Sequence, residues 1–409
     1  AGEGWGEGPE RPMTTFDIAI VGAGPVGLLL ANMLGARGLS VLLIERRTEP
    51  PAHSQAIGIT PPSLHILAKL GLEQEFVRQG VQVRDCHVHG ESGYLGCMTF
   101  RNIPDTHRFI LSLPQSQTCV LLQQKLAGVP NVTLRSGCEV ANLQQQANEC
   151  DLTFFDGTCA KASYVVACDG SRSPLRELLR FKSTGRGYPV HFVMGDFIER
   201  TSLADEAHLF FKAAGSVESF PLPGGLRRWI VQTPQRFDKV PQGLISEIVR
   251  QRTGIELPPE DQTNQSVFTP RRLNCTRYHE GRVILCGDAA HVMSPIGGQG
   301  MNTGFADAEF LAGALCAIVR ENAAPAPLLA AYNKYRRKAA QTAIQRAGLG
   351  MWLGTWTGKG RSMLRDLILR TLLGQPALER FMGPYYAMLT IPYNTLDRVP
   401  LPALKSQPA

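Results

Sequence analysis

Three acids, Glu45, Asp169 and Asp288, each end a short apolar run, and the residues around them suit the holding of a nucleotide cofactor. Glu45 closes the run after the turn Gly22, Ala23, Gly24, Pro25, Val26, Gly27. Gly22 permits a tight turn, Gly24 lets the backbone approach a pyrophosphate, and Gly27 lets a helix pack closely on a strand. A carboxylate at Glu45 can then accept hydrogen bonds from ribose hydroxyls, while the helix after the turn offers free N–H groups to phosphates. Asp288, in CGDAAH, can face the hydroxyls of a sugar alcohol. Behind it, Gly297, Gly298 and Gly300 clear side chains from the place of a flat ring, and the helix opening near Met301 and Asn302 aims its N–H groups there. A reduced flavin carries negative charge on its pyrimidine side, which a helix N-terminus stabilises. Asp169 ends the third run, CDGSRSPLR, with Ser173 and Arg176 opening the next helix; taken alone, this is also the pattern of a capped helix.

The elements that must position these residues are legible in the hydrophobic pattern. Ile18 to Val21 reads as a buried strand, Val26 to Ala36 as a helix and Ser40 to Ile44 as a second strand, together a βαβ unit. A loop follows that would run over the cofactor, with Arg46 placed to meet its phosphates and His53 given no role. The pattern then predicts a helix from Ser63 to Leu70, a small hairpin within 81–109, a helix from Gln115 to Leu126, and strands at 132–135, 138–143, 150–155 and 164–168. From Phe181 to Arg277 the chain alternates apolar and polar residues, as an inserted antiparallel sheet would. The buried-strand pattern returns at Arg282 to Cys286, and the remainder is helical. The expected fold is thus α/β: a discontinuous Rossmann-like domain (13–180 and 278–345), a sheet domain (181–277) and a helical segment (346–409). In the last segment Leu364, Leu367, Ile368 and Leu372 form the apolar face of a helix expected to cover the substrate domain or a dimer interface.

Composition narrows the function. The chain has 409 residues, 44% hydrophobic and 19% charged, which suits a globular protein of two interlocked domains. Its formal charge of +7 is spread in pairs without aromatic interleaving, so nucleic-acid binding is not expected. The ten cysteines fall singly, with no CxxC pair and no histidine at metal spacing, so the sequence indicates neither a metal site nor a redox dithiol. They suit a reducing cytoplasm. No signal peptide or membrane span is legible, and residues 1–12, ahead of Met13, read as a tag scar or disordered extension.

Taken together, GAGPVG, DGSRSPLR and GDAAHVMSPIGGQGMNTG, in this order and at these distances, resemble the class A FAD-dependent monooxygenases, the p-hydroxybenzoate hydroxylase-like aromatic hydroxylases. The resemblance runs from about Thr15 to Arg346. It implies FAD held by the first turn, by Glu45 on the ribose, by Asp288 on the ribityl chain, and by the backbone at Gly300, Met301 and Asn302 on the ring. Arg46, Gln115 and the backbone at Val140 are implied as further contacts, although Gln55 and Gln115 stand where members often carry arginine. Asp169 and Arg176 are implied in a role shared between FAD and NAD(P)H. The implied reaction is reduction by a transiently docked NAD(P)H, then oxygen attack at the flavin C4a position to form a hydroperoxide that hydroxylates an aromatic or polycyclic molecule in a dry pocket. The inserted sheet would supply the pocket floor from Phe210, Lys212, Glu218, Phe220, Arg228 and Trp229, with Pro295 beside the flavin; Arg228 and Pro295 are the expected catalytic pair. The resemblance implies the compact branch of the family, expected to lack the thioredoxin-like domain of many phenol hydroxylases. Flavin-dependent halogenases share the fold but resemble a WxWxIP pattern, where this chain has WIVQTP. A flavin protein without hydroxylase turnover, such as an isoprenoid or quinone-precursor oxidoreductase, is the other alternative.

Overall fold

A computed structural model describes residues 15–49, 56–393 and 395–398. His53, Gln55 and the first twelve residues lie outside the described residues.

The nucleotide layer forms as its pattern predicts. The strand Thr15–Val21 pairs in parallel with Val41–Glu45 on one side and Cys159–Ala167 on the other; Val132–Ser136 and Val283–Leu285 extend the parallel set outward. Their near-continuous apolar runs are buried because helices cover the sheet, as parallel strands require. The helix Pro25–Gly35 packs beside the long helix Gln299–Arg320. Two contacts show how closely: a Cβ on Gly27 would fall 1.9 Å from the Gly22 carbonyl oxygen, and one on Gly304 would fall 2.6 Å from the Val26 side chain. Burying this set removes most of the chain's largest apolar cluster from water, the dominant favourable term in folding.

The second layer is a seven-stranded sheet in the order Gln262–Phe268, His191–Ile198, Leu226–Thr233, Gly215–Leu222, Ala207–Lys212, Asp85–Gly90, Gly93–Thr99. Five strands come from the segment expected to be inserted. The other two are the hairpin of residues 85–99, which joins this sheet through a parallel ladder between Asp85–Gly90 and Ala207–Lys212 rather than staying with the nucleotide layer. Its short strands alternate one buried face, and that face finds an apolar partner only on the second sheet. The chain crosses between layers along Ser183–Gly187 and Arg271–Cys275, which pair with each other, so exit and return run side by side.

The C-terminal helices differ from the expectation. Lys359–Leu373 packs on the hairpin strand Gly93–Thr99, but with Ser362, Arg365, Asp366 and Leu369 inward. Leu364 and Leu367 are 51% and 63% exposed, and Ile368 and Leu372 are half-buried, so the predicted inward face points out. Hydrogen bonding decides this. The Arg365 guanidinium donates to the carbonyls of Trp356 and Phe211, both at 2.7 Å. The Asp366 carboxylate accepts from the N–H groups of Glu91 and Ser92 in the hairpin turn, at 2.7 and 3.3 Å. No helix among the described residues is long and apolar enough to cross a membrane.

Candidate cofactor and substrate site

The first turn is built for a ligand. Gly22 has φ +107°, and a Cβ there would meet the Cys168 carbonyl oxygen at 2.4 Å, so this glycine answers to the protein itself. Gly24 does not. It caps the helix with extended backbone, and a Cβ on it would meet no protein atom within 4 Å. The space above Gly24 is bare, as a cradle for a pyrophosphate requires. Glu45 leans over the same turn: one carboxylate oxygen accepts from the Ala23 N–H at 2.9 Å and the other from the Arg47 N–H at 3.1 Å. The chain at 137–138 hydrogen-bonds back to Glu45 and Arg47, which brings the start of strand Val140–Gln145 beside Glu45. Arg46 is exposed and lies 3.9 Å from Glu139, a surface contact of little energetic weight. Gln115 is half-buried, and its N–H donates to the Ala56 carbonyl.

Asp169 and Arg176 work within the protein. Ser173 caps the short helix Pro174–Leu178 through the Arg176 N–H at 3.0 Å, the capped-helix reading of DGSRSPLR. One Asp169 oxygen accepts from Leu175 N–H at 3.1 Å; the other is buried with no partner among the described residues. Burial pushes this carboxyl above the usual range. The buried Arg176 guanidinium donates to the carbonyls of Ser171 and Ala289, tying the second signature to the third. It is a positioning residue.

The Asp288 residue is exposed, and crowding by the surrounding protein raises its carboxyl above the ordinary range. Beyond it the loop 293–298 turns through Pro295, which is exposed and whose carbonyl accepts from Gly298 N–H at 2.9 Å. The helix then opens with Gly298 at φ +62° and no acid in its first turn; the N–H groups of Gln299, Gly300 and Met301 have no intrahelical acceptor. Asn302 fixes this end of the helix. Its amide donates to the carbonyls of Gly58 and Gly298 at 2.9 and 2.6 Å, and its oxygen accepts from Thr60 N–H and hydroxyl at 2.9 and 3.1 Å. The bare glycine, the exposed acid and the open helix end are each features that suit FAD.

Sequence reasoning missed the group that aligns these parts. Asp307, fully buried, accepts from Gly287 N–H at 3.2 Å, from His291 Nε2 at 2.6 Å and from Arg336 Nε at 2.7 Å. Arg336 also donates to the carbonyls of Thr303 and Pro392, both at 3.1 Å. The signal available in sequence was an acid in a largely apolar helical stretch; Arg336, among Lys334, Arg337 and Lys338, carried none.

The sheet sorts the six pocket candidates by alternation. Leu209, Glu218, Phe220, Arg228 and Ile230 share one face. Phe210 and Trp229 lie on the other, packed under the helix Leu244–Thr253, and Lys212, in phase with Phe210, donates to the Gly90 carbonyl at 2.6 Å. Phe210, Lys212 and Trp229 therefore do not line the floor. The face that remains meets Ile110 and Tyr386, and a Cβ on Gly297 would come within 3.6 Å of the Tyr386 ring, so this face looks toward the helix end expected to hold the flavin. Glu218 is buried there, makes no hydrogen bond or ion pair with a described residue, and is pushed up to about 7 by burial. Arg228 is buried and bidentate to Asp196, at 2.7 and 2.9 Å, in a cleft of about 280 Å³ lined also by Pro114, Gln117 and Leu222.

Comparisons with known proteins agree with this geometry. The family description "FAD binding domain" matches residues 15–347. The rifampicin monooxygenase of Streptomyces venezuelae is 31% identical over 337 residues, covering 80% of this chain and 69% of the relative. Among solved structures, the p-nitrophenol 4-monooxygenase of Pseudomonas putida shares the fold with a TM-score of 0.83 at 23% identity, over 92% of this chain and 99% of that one. A Diels–Alderase of pyrroindomycin biosynthesis reaches a TM-score of 0.79 at 25% identity, over 91% of this chain and 80% of that one. By its three nucleotide signatures, its two-layer fold and these matches, the chain belongs to the class A family of FAD-dependent monooxygenases.

Proposed function

We propose that this enzyme consumes NAD(P)H and O2 to hydroxylate an aromatic or polycyclic molecule bound between the Leu209, Glu218 and Ile230 face of the sheet and the loop 293–298. FAD, when bound, carries the electrons and activates oxygen. The chain's own residues hold it: Gly24 leaves room for the pyrophosphate, Glu45 and Asp288 accept from sugar hydroxyls, and the N–H groups from Gln299 to Met301 stabilise negative charge on the ring. The apolar wall of Leu209, Phe220, Ile230 and Tyr386 excludes water from the substrate. Glu218 accepts a hydrogen bond, and at higher pH a proton, from a substrate hydroxyl. Arg228, paired with Asp196, gives the same face a polar edge. The carrying observation is Glu218, a carboxyl buried on an apolar wall with no hydrogen-bond or ion-pair partner among the described residues, the arrangement of a recognition group awaiting a polar ligand atom.

The similarity to the Diels–Alderase supports a second reading, in which the fold shapes a polycyclic product without oxygen transfer. One experiment separates them: NAD(P)H oxidation and O2 uptake measured across a panel of phenols and polycyclic phenols. Acceleration by at least one compound, with matched O2 uptake and a hydroxylated product, is the expected result. Conversion of a polyene without O2 uptake would favour the second reading.

A further inference from the structure

His65, Asp105 and His107 come together away from the cofactor site, where the sequence shows no metal spacing: one ligand atom of each lies within 4.8 Å of the others. His65 sits late in the helix Pro61–Ala68, and the other two lie in the segment leading to the strand Ile110–Ser112. His65 Nε2 is 3.0 and 3.1 Å from the two Asp105 oxygens, and His107 Nδ1 is 3.5 Å from Asp105 Oδ1. A tetrahedral zinc ion with arms of about 2.0–2.1 Å has ligand–ligand edges of about 3.3–3.4 Å, between the two spacings that Asp105 makes, while the two histidine nitrogens lie within 4.8 Å of each other.

A fourth residue prepares the site. Glu73, first in the helix Glu73–Gln79, accepts from His107 Nε2 at 2.6 Å. With the proton on Nε2, Nδ1 is left with a lone pair on the side of Asp105 Oδ1, where the Thr106 hydroxyl also reaches it at 3.5 Å, and Oδ1 itself accepts from the His107 backbone N–H at 2.8 Å. A carboxylate behind a ligating histidine is the usual outer support of a metal-bound imidazole. Asp105 and His107 side chains are 9% and 10% exposed, and His65, at 32%, leaves an entry path. Among the described residues no lysine or arginine forms an ion pair with the Asp105 or Glu73 carboxylate; their ion-pair partners are the His65 and His107 imidazoles. Two nitrogen ligands beside one carboxylate select zinc over magnesium or calcium.

We propose that His65 Nε2, Asp105 and His107 Nδ1 bind one Zn²⁺, with water as the fourth ligand and Glu73 as the group that orients His107. The ion would clip the helix Pro61–Ala68 to the segment 100–109, a structural role separate from flavin chemistry.

The test uses FAD-loaded enzyme stripped with EDTA, dialysed and titrated with ZnCl2. Wild type is expected to retain one equivalent after gel filtration, measured by elemental analysis, and to gain thermal stability that EDTA reverses. His65→Ala/His107→Ala should lose both while keeping its flavin content. Glu73→Gln, which leaves all three direct ligands, should bind about tenfold to a hundredfold more weakly. Co²⁺ in place of zinc should give a ligand-field spectrum without thiolate charge-transfer bands, which separates this site from binding at cysteines. Retention of less than a tenth of an equivalent by wild type, equal uptake by the double variant, or thiolate bands with Co²⁺ would each overturn the proposal. Should the double variant not fold, unchanged affinity in Glu73→Gln does so.

Discussion

Arg336 Nε donates to Asp307 Oδ1 at 2.7 Å, and neither side chain reaches solvent. Burial works against the Asp307 charge, but the His291 imidazole and the Arg336 guanidinium outweigh it and hold this carboxyl below the usual range. Because the folded form titrates below the unfolded one, the contribution to stability is full above the unfolded value near 4 and is lost as pH falls through the folded value. Arg336→Met leaves a buried charge with one partner fewer and should cost on the order of 3–5 kcal/mol. Chemical denaturation at pH 7 checks this. The same variant should release FAD more readily, since Asp307 also holds the Gly287 N–H beside Asp288.

Two glycines of one turn should fail in different ways. Gly24→Val places its side chain in space free of protein, so the variant should keep its thermal stability without ligand and lose its flavin. Gly27→Ala collides with the Gly22 carbonyl oxygen and should unfold or express poorly. Absorbance for flavin and circular dichroism for fold distinguish the two, and full flavin content in Gly24→Val would remove the pyrophosphate from this turn.

Asp288→Ala should weaken FAD binding about tenfold to a hundredfold, the loss of one hydrogen bond to a charged acceptor of about 1.5–3 kcal/mol. Flavin fluorescence titration of the apoenzyme measures it; unchanged affinity would reduce Asp288 to a residue of the 3-10 turn Gly287–Ala289.

Glu218, pushed up to about 7 by burial, titrates above its unfolded value of 4.5. Protonated carboxyl is the favoured folded form, so wild type should lose stability as pH rises from about 4.5 to 7 and change little beyond. Glu218→Gln should be the more stable protein at pH 8, by on the order of 3 kcal/mol, with no advantage at pH 4. If the carboxylate accepts the substrate proton, kcat/KM of wild type rises through pH 7, and this limb is absent in the glutamine variant.

The C-terminal helix offers a stability test of its orientation. Leu367→Asp should change stability by no more than about 0.5 kcal/mol, as an exposed substitution does. Arg365→Ala, which strands the carbonyls of Trp356 and Phe211, should be clearly destabilising. Urea unfolding of both variants decides which face is inside.

Where the sequence was informative, a local rule had only one way to be satisfied. The glycine turn, the strand to Glu45 and the helix Gln115–Leu126 follow from periodicity and steric need, and they stand where expected. The pocket floor was half legible: period two separates Glu218, Phe220 and Arg228 from Phe210, Lys212 and Trp229 only after strand pairing shows which face meets the nucleotide layer. The helix from Lys359 misled because its polar side is inside. Arg365 and Asp366 are buried by hydrogen bonds to backbone groups far away in sequence, and a hydrophobic stripe carries no trace of those partners. Asp307 and Arg336 stand 29 residues apart, and only packing of their two helices brings them together.

The parallel ladder between Asp85–Gly90 and Ala207–Lys212 bears on how the chain is made. The hairpin leaves the ribosome long before its partner strand exists, so one edge waits with unpaired N–H and carbonyl groups through the synthesis of much of the nucleotide layer. Neither layer can be finished before the other is under way, and a gene fragment encoding 181–277 alone would yield a sheet lacking two of its strands. The two layers are therefore one cooperative unit of biosynthesis, not modules that could be exchanged between proteins by recombination at the crossings.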